Sequence, residues 1–242
     1  MSKVSISKPA VACLFSALLV ACLVACGNDP YDTGDGSLSY MRADFVEVST
    51  NSSAEAVSAV SDDGKILTLS PAIGADWLTA KDSVYRALLY YNVAEGMDAE
   101  LVGEATVKPI AVGNVIVPNV INASSGNRVY PVDPVNLESM WMSKNGRYLN
   151  LDISVKVGAK DGKMGSQSIG VAYVGSYTGS DGSVVHRLVF AHGQNGVPEY
   201  YSSQAYVSIP LYRMPYAVTK ADRIEITVND YDGKVTKTFV VG

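Results

Sequence analysis

Tyr148-Leu149-Asn150-Leu151-Asp152-Ile153-Ser154-Val155-Lys156-Val157 places an apolar residue at every second position, and that period decides the fold class. Side chains alternate between the two faces of a strand. Leu149, Leu151, Ile153, Val155 and Val157 therefore predict one buried face, with Tyr148, Asn150, Asp152, Ser154 and Lys156 on a solvated one. Ile224, Ile226 and Val228 alternate with Arg223, Glu225 and Thr227 in the same way. Between such runs stand Asp63-Gly64, Asn145-Gly146, Asp181-Gly182 and Asp232-Gly233, pairs that tolerate the positive φ of hairpin turns. Beyond the N-terminal apolar run, helical spacing is limited to single turns around Asp76-Trp77-Leu78-Thr79 and from Pro134 to Met142. The chain is predicted to be all-β.

Outward from that strand, the pattern divides in two. Residues 113–134 carry Pro118, Asn119, Asn122, Gly126, Pro131 and Pro134 and lose alternation, which reads as a connection between β units. Before it lie strand candidates at 38–50, 55–61, 65–70, 83–92 and 99–112, a count that suits a small closed OB-like barrel over 38–113. After it come candidates at 148–157, 168–177, 183–191, 203–212, 222–229 and 234–241, regular enough for a β-sandwich over 114–242. In the opening strand the apolar set shifts phase, from Met41, Ala43 and Phe45 to Val46 and Val48. Such a shift predicts a β-bulge.

The N-terminus carries an address. Lys3 and Lys8 precede an apolar segment from Ala10 to Ala25, and Leu23-Val24-Ala25-Cys26 closes it as a lipobox, so residues 1–25 read as a lipoprotein signal peptide and Cys26 as the lipidated residue. The run is shorter than the roughly 20 apolar residues of a membrane-spanning helix. Leu19-Val20-Ala21-Cys22 is a second lipobox, but cleavage there would leave Leu23-Val24-Ala25 exposed, whereas Gly27-Asn28-Asp29-Pro30 begins a polar chain. Gly27, in place of an aspartate after the cysteine, favours the outer membrane. Residues 26–37, with Asp29, Asp32 and Asp35, read as a tether. Processing removes Cys13 and Cys22 and consumes Cys26, which excludes thiol nucleophiles, redox pairs and thiolate metal sites. Loss of Lys3 and Lys8 leaves 17 of the 19 basic residues against 24 acidic ones and moves the formal charge from −5 to −7. Nucleic-acid binding then lacks the cationic clusters it requires.

Asp32-Thr33-Gly34-Asp35-Gly36, Tyr40-Met41-Arg42-Ala43-Asp44-Phe45-Val46-Glu47, Asp62-Asp63-Gly64 and Asp82-Ser83-Val84-Tyr85-Arg86-Ala87-Leu88-Leu89-Tyr90-Tyr91-Asn92 together resemble the NigD-like lipoproteins of Bacteroides-type Gram-negative anaerobes. The resemblance spans the mature chain. It implies an N-terminal OB domain, a C-terminal β-sandwich domain, lipid at Cys26, and a bacteriocin-associated or immunity role. It implies no catalytic motif.

Catalytic readings find little support in the residues. His186 shares a strand face with Val184, Leu188 and Phe190 and reads as a core-edge residue, while His192 opens the loop His192-Gly193-Gln194-Asn195-Gly196 and reads as exposed. Two histidines do not make a zinc site. Asp44, Glu47, Asp98 and Glu100 supply carboxylates for an acid-pair glycoside hydrolase acting on envelope or host glycan, but nothing in their spacing singles them out. Asp230-Tyr231-Asp232-Gly233 lacks the spacing of a calcium loop and reads as a hairpin turn. Tyrosine is the more suggestive residue. In Tyr200 to Tyr216, parity sets Val207, Ile209 and Leu211 on one face and Tyr206, Ser208, Pro210 and Tyr212 on the other. Pro210 argues for an accessible edge strand, so Tyr206 and Tyr212 are the candidate ligand-binding residues. OB barrels bind oligonucleotides or oligosaccharides, and the acidic charge leaves glycan or protein. The sequence thus predicts a non-catalytic outer-membrane lipoprotein, without metal or cofactor, that binds an envelope protein, peptide or glycan; the acid-pair hydrolase is the alternative.

Overall fold

The computed structural model describes residues 41–93, 103–126, 128–160 and 162–242. The signal peptide, Cys26, the tether, Asp98 and Glu100 lie outside them.

Fifteen strands and one 3-10 turn make up the described chain. β1 (Met41–Thr50), β2 (Ala56–Ser61), β3 (Ile66–Ile73), β4 (Val84–Val93) and β5 (Glu104–Asn114) close into a barrel in the order β1-β2-β3-β5-β4. Its pairs are antiparallel except β3 with β5, the strand order of the OB fold. Val46, Val48, Leu67, Leu89, Tyr91 and Val107 fill the interior, each at most 1 % exposed. A buried aliphatic side chain of this kind contributes roughly 1.5–3 kcal/mol.

The connection continues as β6 (Val120–Asn122), and the sandwich follows as β7 (Asn136–Met142), β8 (Tyr148–Val157), the short β9 (Ala159–Lys160) and β10 (Lys163–Met164), β11 (Ser168–Thr178), β12 (Val184–Gly193), β13 (Tyr201–Pro210), β14 (Arg223–Asp230) and β15 (Gly233–Val240). A five-stranded sheet, β15-β14-β12-β11-β6, faces a three-stranded one, β13-β8-β7. Leu149, Leu151 and Ile153 of the smaller sheet share a core with Leu188, Phe190 and Ile226 of the larger. The linker adds to the small sheet as well. Ile116 lies parallel to Val207, donating its N–H to the Tyr206 carbonyl at 2.8 Å and accepting the Ser208 N–H at 2.8 Å.

Three expectations are corrected. The phase shift at Phe45-Val46 is not a bulge: β1 keeps register with β4 from Met41 to Ser49, and its one irregularity against β2 falls between Ser49 and Thr50. The shift arises because even positions fill the barrel while Phe45 turns to the sandwich, where it meets Trp141 and Tyr206 edge-on at 5.4 Å. β8 is not solvated on one whole face either. Tyr148 and Asn150 are as buried as Leu149, because the barrel covers that end of the sheet. The stretch from Pro134 to Met142, read as a helical turn, is strand β7, whose alternation is disguised by a bulge between Leu137 and Ser139.

Candidate functional site

β4 turns Ala87, Leu89 and Tyr91 into the barrel, and by strand parity Arg86 turns the other way, toward the sandwich. Its side chain is 1 % exposed. The guanidinium forks onto Asp62 at 2.6 and 2.7 Å, donates from Nε to Ser208 Oγ at 3.1 Å and from Nη2 to Asn150 Oδ1 at 3.3 Å. It also stands 4.1 Å from the centre of the Tyr148 ring. Asp62 and Arg86 belong to the barrel, and Asn150, Ser208 and Tyr148 to the sandwich. A buried guanidinium needs this many acceptors to offset its desolvation, so the network fixes how the two units meet.

Beside it opens a cleft of about 540 Å³. Glu47, Trp77 and Tyr85 line it from the barrel, Val115 and Val117 from the linker, and Arg147, Tyr148, Tyr212 and Arg213 from the sandwich, with Arg86 also reaching it. Glu47 accepts the Tyr148 hydroxyl at 2.6 Å and pairs with Arg147 at 3.1 Å. Burial, then the hydrogen bond to Glu47, pushes the Tyr148 phenol far above its ordinary value. Tyr212 is half exposed, edge-on to Tyr148 at 5.7 Å, with the Arg147 and Arg213 guanidinium groups 4.9 and 5.4 Å from its ring centre. A second groove of about 350 Å³ continues past Tyr212 and is largely apolar, with Leu211, Met214, Tyr216, Val218 and Val241 among its lining. Aromatic faces, guanidinium donors and an engaged carboxylate make a surface suited to gripping a polar, anionic ligand.

The structure separates the two candidate tyrosines. Tyr206 does not point freely outward: its face of β13 is the one that meets the barrel, and its ring packs on Phe45. Burial, then the charge of Asp152, raises its phenol. Pro210 is on an edge strand, as expected, yet it is buried. Tyr212 lies beyond the strand, in the 3-10 turn Leu211–Arg213, which swings it into the cleft. Sequence reasoning missed Arg86, Arg147 and Tyr148. Arg86 left a signal, a lone charge inside the apolar run Val84 to Tyr91; Arg147 and Tyr148 left none, since a turn arginine and a strand tyrosine look ordinary.

The catalytic candidates are not assembled. Asp44 and Glu47 fall on opposite faces of β1, and Asp44 accepts the Tyr91 hydroxyl at 2.6 Å. His186 is a buried core-edge residue, 3.6 Å from Asp222. His192 corrects the expectation of an exposed loop residue: it ends in β12, fully buried, with Nδ1 3.2 Å from the Asp133 carbonyl and Nε2 3.1 Å from Gln167 Oε1. Among the described residues no group of three His, Cys, Asp or Glu could hold a metal ion. Asp230 and Asp232 form the β14–β15 turn, where Asp230 accepts the Asp232 N–H at 3.0 Å and, through its other oxygen, the Leu137 N–H at 2.7 Å.

Residues 119–241 match a family model described as the NigD-like C-terminal beta sandwich domain. Among solved structures, a NigD-like immunity protein from Bacteroides caccae superposes with a TM-score of 0.58 at 21 % identity, covering 83 % of this chain and 97 % of its own. A protein of Parabacteroides distasonis described as toxin-related gives 0.57 at 19 %, over 82 % and 92 %. One of Bacteroides fragilis described as a lipoprotein gives 0.56 at 12 %, over 84 % and 98 %. Likeness at these identities is likeness of fold. No curated protein matches the chain.

Proposed function

Since the chain belongs to the NigD-like family, we propose that it is a non-catalytic lipoprotein, anchored in the outer membrane through Cys26, whose junction cleft binds a protein, peptide or glycan of the envelope. The lipobox before Cys26 and the Bacteroides fragilis relative described as a lipoprotein support the anchor. The Bacteroides caccae relative, described as an immunity protein, supports a role in capturing another molecule. The observation that carries the binding reading is Tyr212, half exposed at the cleft mouth and flanked by Arg147 and Arg213. Aromatic and arginine side chains in such a position are the usual energetic anchors of recognition surfaces.

A photo-crosslinking phenylalanine analogue at position 212, introduced in growing cells, tests this directly. A discrete adduct at 212 that is absent when the same analogue replaces Lys237, exposed on β15, is the expected result. No adduct at 212, or the same adducts at both positions, would overturn the binding reading.

A further inference from the structure

Tyr212 stands as a ridge between two hollows. Together with Arg147 it lines both the junction cleft of about 540 Å³ and the groove of about 350 Å³ beyond it. The ridge is held in place. The Tyr212 hydroxyl lies 3.2 Å from that of Tyr148, and the guanidinium of Arg147, itself paired with Glu47, stands 4.9 Å from the ring centre. A ligand seated across Tyr212 places one part in each hollow.

The two hollows differ in chemistry. The cleft is cationic in a protein whose formal net charge is −5, with Arg86, Arg147 and Arg213 in its lining against the one carboxylate of Glu47. Asp62 neutralises Arg86 and Glu47 neutralises Arg147. Arg213 has no carboxylate within 4.0 Å among the described residues, and its contact is the Tyr212 ring. The groove is apolar. Leu211, Met214 and Val241, each at most 9 % exposed, line it together with Ala217 and Val218. None of these five side chains offers a hydrogen-bond donor.

Resting on the binding reading above, we infer that the ligand is a loop of a partner protein in which an acidic and a large apolar residue stand close together, the carboxylate on Arg213 and the apolar side chain in the groove past Tyr212. Arginine and tyrosine beside an apolar hollow are the side chains that anchor protein partners. A glycan suits the cleft side of Tyr212 but not the far side, where its hydroxyls would leave water for a surface without donors. The apolar half of the site is what selects a protein.

The test pans a phage library of disulfide-closed nonapeptides on the full-length lipoprotein in detergent. Soluble polygalacturonate, alginate and hyaluronan oligomers are titrated beside it, and sedimentation equilibrium reports self-association. Enriched peptides should carry Asp or Glu within a few positions of Leu, Phe or Trp. Resynthesised, the best of them should bind about tenfold more weakly when its acid becomes an amide, and about as much more weakly to R213Q, each the loss of one charge-assisted hydrogen bond. Exchange of its apolar residue for serine should cost about tenfold or more, and A217E, which sets a carboxylate at the groove, should also weaken it. The two peptide changes leave the protein unaltered, so they are independent of how the variants fold. No enrichment, enrichment without the acidic and apolar pair, indifference to either peptide change or to folded R213Q, binding of the acidic glycans alone, or a dimer that R213Q abolishes would each overturn the inference. In those cases a surviving adduct at position 212 would leave the binding reading standing; its absence would remove both.

Discussion

Arg86 concentrates more of the architecture than any other side chain, because Asp62, Ser208 and Asn150 all depend on it. Replacing it with methionine keeps an apolar stem and removes the guanidinium, which strands a mostly buried carboxylate; the expected loss is about 3–5 kcal/mol in urea unfolding followed by tryptophan fluorescence. Adding Asp62→Leu to that variant should recover much of the loss, since the penalty lies in the unpaired partner. Tyr91 and Tyr148 set the alkaline limit. Burial, then a carboxylate acceptor, raises both phenols above the ordinary value of 10.0. The unfolded chain therefore releases those protons first. Their contribution is complete below pH 10 and declines as pH climbs beyond it, so folded stability should fall from about pH 10 upward. Tyr148→Phe, which cannot ionise, should show a shallower decline in circular dichroism despite a lower neutral-pH stability.

Among the elements, β15 is the exposed edge of the five-stranded sheet, with Val240 60 % exposed and Val235 and Phe239 half-buried. Lys234 and Lys237 break its apolar stretch, and charges of this kind keep an open edge from pairing with other chains. Lys234→Thr with Lys237→Val should leave the melting temperature nearly unchanged and raise light scattering at concentrations where the parent stays clear. Strands were legible in the sequence wherever one face alone is buried. Ile224, Ile226 and Val228 of β14 alternate cleanly because Arg223, Glu225 and Thr227 stay at the surface or half-buried. Elements that break alternation were not. The bulge in β7 hid a strand behind Pro134, and β6 is too short to show a period. The site was less legible than the fold for the same reason. Tyr148, Asn150 and Ser208 occupy positions that alternation assigns to water, Phe45 one that reads as a change of phase, and only the approach of a second unit turns them inward. His192 reads as exposed in the sequence because the partners that bury it, Asp133 and Gln167, are distant in sequence.

For the whole molecule, Tyr40–Gly242 forms one compact unit in which Arg86 and the contacts of Phe45 with Trp141 and Tyr206 tie barrel to sandwich. Calorimetry should therefore show one unfolding transition, whereas Phe45→Ala should broaden or divide it, as the aromatic contacts contribute roughly 0.5–1.5 kcal/mol each beyond buried area. The anchor is tested on cells: Cys26→Ser should abolish incorporation of labelled palmitate and shift the protein from the membrane to the soluble fraction. External protease on intact cells then reports orientation, with loss of residues 27–242 placing the cleft at the surface and protection placing it in the periplasm. Ile116 is linker by position and sandwich by hydrogen bonding. A fragment starting at Asn119 would discard it, strip the outer side of β13 and leave Asn150 and Ser208 facing a missing guanidinium. The sandwich is therefore no interchangeable cassette, and a recombination event that moved it to another protein would have to bring the linker and the barrel along.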